Sequence, residues 1–70
     1  MINETGHDLV MSQFQMMQLH GKKGNNVDAK FCLDSAKRIW EELSDVDETV
    51  KVNLDYYKKN YANFCKMLEK

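Results

Sequence analysis

Six apolar residues in the last third of the chain, Val50, Leu54, Tyr57, Tyr61, Phe64 and Leu68, follow one another at steps of four, three, four, three and four. That is the heptad spacing of a helix with one buried stripe. It constrains the fold more than any other feature, because a stripe of this length needs an apolar partner and a strand cannot use its period. A second stripe lies upstream. Ala29, Cys32, Ala36, Ile39, Leu43 and Val46 also step by three and four, flanked by Leu33 and Trp40, while Lys30, Asp34, Lys37, Arg38, Glu41 and Glu42 take the opposite face.

Two polar stretches punctuate the pattern: the glycine-bounded run from His20 to Asn26, and the acidic run from Ser44 to Glu48. The sequence therefore predicts an all-α fold of three helices, at about 8–20, 27–44 and 47–69, in a single domain spanning 1–70. Proline is absent and glycine occurs only at positions 6, 21 and 24, so nothing interrupts the helical reading between those stretches. Thr5 and Asp8 suit the start of the first helix and Gly21 its end. Asn25 or Asn26 suits the N-cap of the second, and Asp45 with Glu48 the start of the third.

A tight fold-back at Ser44–Asp47 would set the second and third helices together as an antiparallel, coiled-coil-like hairpin. In that register Leu43 faces Val50, Ile39 faces Leu54, Ala36 faces Tyr57, Cys32 faces Tyr61 and Ala29 faces Phe64. Large side chains then lie across from small ones, as close packing requires. The first helix is apolar on two sides, with Val10, Met11, Phe14 and Met17 on one and Leu9, Met16 and Leu19 on the other. It is expected to pack on the hairpin or across an oligomer interface, and a homo-oligomer, most simply a dimer, follows from the apolar surface left over.

Ten Lys and Arg against eleven Asp and Glu leave a formal charge of −1, which offers no global attraction to nucleic acid or an anionic membrane. No charged leader precedes an apolar run, and no apolar stretch approaches membrane-spanning length, so the expected location is cytoplasmic with no membrane contact. Cys32 and Cys65 form no CxxC pair, and neither His7 nor His20 completes a metal-ligand spacing. Both thiols are expected in the packed interior, His20 at a helix C-terminus and His7 on the N-terminal surface. No nucleophile setting is recognisable, so no enzyme, metal or cofactor is expected.

The leading functional reading is a non-enzymatic regulator, inhibitor or adaptor that occupies the surface of an unidentified protein. Such a chain is compatible with an inhibitor encoded by a phage or plasmid. Trp40, Val52, Tyr56 and Met67 are the expected anchors, because exposed aromatic and flexible apolar groups dominate binding energy. Met16, within the Met-rich first helix, could add to that surface as a pliable contact. The alternative is an oligomeric binder of a phosphate-bearing ligand, nucleotide or nucleic acid. Lys22, Lys23, Gly24, Asn25 and Asn26 carry it, since flexible backbone and positive charge there run directly into a helix N-terminus. The run does not match GxxxxGK[ST], so nucleotide hydrolysis is not part of that reading.

Overall fold

The computed structural model describes residues 6–69, and every regular element among them is helical. There are four: α1 (Gly6–Lys22), α2 (Asn26–Leu43), α3 (Glu48–Val52) and α4 (Leu54–Leu68). Thr5, the expected start of the first helix, lies outside the described residues.

α1 ends at Lys22, two residues beyond the expected end at 20. Gly24, at φ +81°, takes the left-handed conformation that closes the helix. The Asn25 N–H donates to the His20 carbonyl at 2.9 Å and the Gly24 N–H to the Gly21 carbonyl at 3.1 Å, a Schellman cap. α2 then starts at once, with Asn25 as its N-cap residue although its side chain makes no capping bond. Its first turn carries Asp28, whose charge suits the positive end of the dipole.

The third expected helix is two helices, α3 and α4, divided at Asn53. Thr49, Val50 and Val52 are β-branched and weak helix formers. Asn53 then competes with the backbone: its side-chain amide donates to the Thr49 carbonyl at 2.7 Å, while its own N–H turns to Val50 O at 3.1 Å. The ladder resumes when the Tyr57 N–H donates to Asn53 O at 3.0 Å.

Asp47, not Asp45, caps α3. Its Oδ1 accepts from the N–H groups of Thr49 (3.0 Å) and Val50 (3.4 Å). Its Oδ2 accepts from the Gly6 N–H at 3.1 Å, so one carboxylate caps the starts of both α1 and α3.

The core consists of Val10, Phe14 and Met17 from α1, Ala29, Cys32, Leu33, Ala36 and Trp40 from α2, Val50 from α3 and Tyr57 from α4. Met11, Ile39, Leu43, Leu54, Tyr61, Phe64, Cys65 and Leu68 pack around it, partly covered. Both heptad stripes thus point inward, except at Val46, which lies in the turn after α2 and is 80% exposed. The most extensive interface, however, joins α1 to α2 across the short connection at Lys23–Asn25, and α4 lies against that pair. This differs from the expected dominance of a hairpin between the second and third helices. The rings of α4 converge on two residues of the α1–α2 pair instead. Trp40 stacks on Tyr57 and meets Tyr61 edge-on, each with centroids 5.8 Å apart, and Phe14 meets Phe64 at 5.4 Å. Trp40 and Phe14 also touch each other, at 6.2 Å. No described helix is long and apolar enough to cross a membrane.

Candidate functional site

The expected anchors separate into one core residue and several surface residues. Trp40 is only 3% exposed and carries the aromatic cluster, so it is not a surface anchor. The buried row of α2 takes in Ala29, Leu33, Ala36 and Trp40, which places the flank of the expected stripe at its centre. Val52, Tyr56, Met67 and Met16 are all exposed.

Tyr56 (49% exposed) and Met67 (57%) lie on the same side of α4, eleven residues and roughly 16 Å apart along its axis. Asn60 stands between them with its amide turned back onto the helix, donating to the Tyr56 carbonyl at 2.9 Å. Its polar group is thereby partly withdrawn from solvent. Val52 belongs to α3, on the other side of the Asn53 break.

Met67 does take part in a concave feature. With Phe64, Leu68, Met17, Gln18, Gly21, Lys22 and Asn26 it lines a cleft of about 420 Å³ at the end of the bundle where α1 stops, α2 starts and α4 ends. A second cleft of about 460 Å³, lined by Asn26, Val27, Lys30, Cys65, Leu68 and Glu69, opens on the other side of Leu68. Asn26 and Leu68 form the divide between them. Sequence reasoning placed Met67 on an outer stripe and missed its cleft, because the cleft depends on where α1 terminates against α4.

Lys30 and Cys65, at the wall of the second cleft, join a polar array that periodicity alone does not reveal. The Tyr61 hydroxyl donates to Asp34 Oδ1 at 3.1 Å, and Lys30 Nζ approaches the same hydroxyl at 3.4 Å and Cys65 Sγ at 3.6 Å. Lys30 and Lys37 also stand over the Tyr61 ring, 5.3 and 5.8 Å from its centroid. The hydrogen bond to Tyr61 raises the Lys30 pKa above its ordinary value, against a smaller opposing effect of burial. Burial raises that of Tyr61. The ammonium thus holds its charge beside a phenol that holds its proton.

Cys32 is buried and Cys65 half-buried, and both are free thiols. Burial, aided by the Asp28 carboxylate, pushes the Cys32 thiol up, which disfavours its thiolate and its reactivity.

His7 is not the simple surface residue its position suggests. Its Nδ1 lies 2.6 Å from Tyr57 Oη, and its ring stacks on that phenol with centroids 5.7 Å apart. Burial, with the nearby Asp47 and Asp8 carboxylates, raises the Tyr57 pKa. The phenol therefore keeps its proton, and its contact with His7 ties the start of α1 to α4.

Of the residues in the alternative site, Lys22 and Asn26 line the Met67 cleft, whereas Lys23, Gly24 and Asn25 lie exposed on the connection beside it. Two of the amides expected to cradle phosphate, from Gly24 to Asn26, are committed elsewhere. Those of Gly24 and Asn25 close the Schellman cap, and that of Lys23 donates to the carbonyls of Leu19 and His20. Asp28, in the first turn of α2, adds a negative charge where an anion would have to sit. Among the described residues no group of three or more His, Cys, Asp or Glu is placed to hold a metal ion.

The described residues thus form a small α-helical bundle that carries two end clefts and exposed apolar side chains. No protein-family model, curated protein or solved structure matches it.

Proposed function

We propose that this chain is a non-enzymatic, cytoplasmic binding protein that regulates or inhibits a protein partner by occupying its surface. The observation that supports this reading is the exposed Met67 at the rim of an apolar-floored cleft built from Met17, Phe64 and Leu68. A flexible thioether beside a hollow can both insert into a partner and accept a partner's side chain. Tyr56 and Val52 extend the contact along α4 and α3, and Met16 serves the outer face of α1. The polar neighbours Gln18, Lys22 and Asn26 then form a rim around an apolar centre, as interfaces commonly do.

The test uses tagged full-length protein to capture its partner from the native host, followed by binding of the purified pair. Met67→Asp and Tyr56→Asp should each weaken binding by at least about tenfold while leaving the melting temperature unchanged, since both side chains face solvent. Affinity should respond little to salt. Binding that ignores both variants counts against this surface. Binding that falls steeply with salt and with Lys22→Ala, Lys23→Ala would support the phosphate-ligand reading instead.

A further inference from the structure

Residues from Leu9 to Leu19 carry no formal charge, although 30% of the whole chain is charged. Burial explains only the inward positions, Val10, Phe14 and Met17. The outward positions Leu9, Ser12, Met16 and Leu19 are exposed, Leu19 to 58%. They step by three, four and three, a second heptad row on the side of α1 turned away from the core. The exposed faces of α2 and α4 are built differently, with Lys30, Asp34, Arg38, Lys58 and Lys59. A solvated helix face has no reason to avoid charge over eleven residues, whereas the centre of an interface does.

The flank of this row identifies the occupant. Asp8, Gln15 and Lys22 stand seven residues apart along one edge, in the order acid, neutral, base. We infer that α1 pairs with α1 of a second copy, antiparallel, about a twofold axis at the level of Phe14. In that register Leu9 meets the partner's Leu19 and Ser12 meets the partner's Met16. Along the edge, Asp8 comes within about 3 Å of level with the partner's Lys22 at both ends, and Gln15 likewise with the partner's Gln15, which the side chains span. Opposed helix dipoles favour the same arrangement. A parallel pair would set Asp8 beside Asp8 and Lys22 beside Lys22, which like charges resist. The inference shares Met16 and Lys22 with the proposed partner surface, but its test is separate, because Val52, Tyr56 and Met67 lie outside the row.

A seventeen-residue helix is about 25 Å long, so a single helix pair gives an interface at the small end of the specific range. Association should therefore fall at micromolar rather than nanomolar concentration. Sedimentation equilibrium from about 1 μM to about 1 mM should show the mass rising from 8.2 kDa towards twice that value. Leu19→Lys, placed in the row but facing solvent in the free chain, should shift the midpoint upward by at least about tenfold with the melting temperature unchanged. Asp8→Lys should weaken the dimer, and Asp8→Lys combined with Lys22→Asp should restore it. Lys22→Asp alone makes the same test from the other end of the helix if Asp8→Lys perturbs folding. An 8.2 kDa species at every concentration, or a dimer that Leu19→Lys leaves intact, overturns the interface. A charge exchange that fails to restore association overturns the antiparallel register.

Discussion

An ideal Cβ at Gly6 would lie 2.7 Å from both Asp47 Oδ2 and Val50 Cγ2 and 2.8 Å from Leu43 Cδ1. Those atoms belong to the cap and packing around the α2–α3 corner, so they cannot all withdraw cheaply. Gly6→Ala should destabilise by about 1 to 3 kcal/mol, read from a urea titration. Gly24 presents the opposite case: nothing lies within 4 Å of its Cβ position, but its φ of +81° strains any other residue. Gly24→Ala should cost about 1 kcal/mol through the backbone alone. Titration adds a third residue-scale expectation. Cys32 and Tyr57 both hold their protons above the ordinary values of 9.0 and 10.0, whereas the unfolded chain ionises at those values. Between the unfolded and folded pKa the native state binds more protons, so this contribution is whole below about pH 9 and is lost as pH rises through the higher folded values. Urea midpoints should fall from about pH 9 upward, and Tyr57→Phe should flatten the slope above pH 10.

At the scale of elements, the inward faces were legible because burial follows period. Val10, Phe14 and Met17 emerge buried and Leu9, Met16 and Leu19 exposed, as the two-sided pattern of α1 indicates. The break at Asn53 was not legible from that pattern, since Val50, Leu54 and Tyr57 keep their spacing across it. Its signal lies in polar chemistry, where one asparagine amide takes a carbonyl the backbone ladder would have used. Asn53→Ala removes that competitor and restores a better helix former. We expect α3 and α4 to join more nearly into one helix, measured as added protection of the Asn53-region amides from exchange. The identity of the capping acid was missed for a related reason. Asp45 and Asp47 are both plausible by spacing, and only the approach of Gly6 from a distant part of the chain distinguishes them.

For the molecule as a whole, periodicity names the residues that go inside without naming the helix each will meet. The stripes of α1, α2 and α4 share one period, so any two could pair, and the chain pairs α1 with α2 most extensively. The same ambiguity misplaced Trp40: one step off the narrow stripe reads as a flank, yet two packed helices and a third beside them cover a wider arc. Phe14 shows how few contacts join the layers. It touches Trp40 of α2 and Phe64 of α4, so Phe14→Ala should cost about 3 to 5 kcal/mol. A domain of this size has little more than that in reserve. The variant should lose most of its helical circular dichroism and shift its Trp40 fluorescence to the red at ordinary temperature. The end clefts could not be anticipated from pattern, because they arise where three helix termini meet at unequal heights.

The shared carboxylate of Asp47 has a kinetic corollary. Neither the opening turn of α1 nor that of α3 can unravel without releasing an oxygen of the group that steadies the other. The two ends, joined by a bond between residues forty-one positions apart in the chain, should breathe as one unit, and isotope uptake at Gly6 and Val50 should quicken in parallel when Asp47 is replaced by alanine.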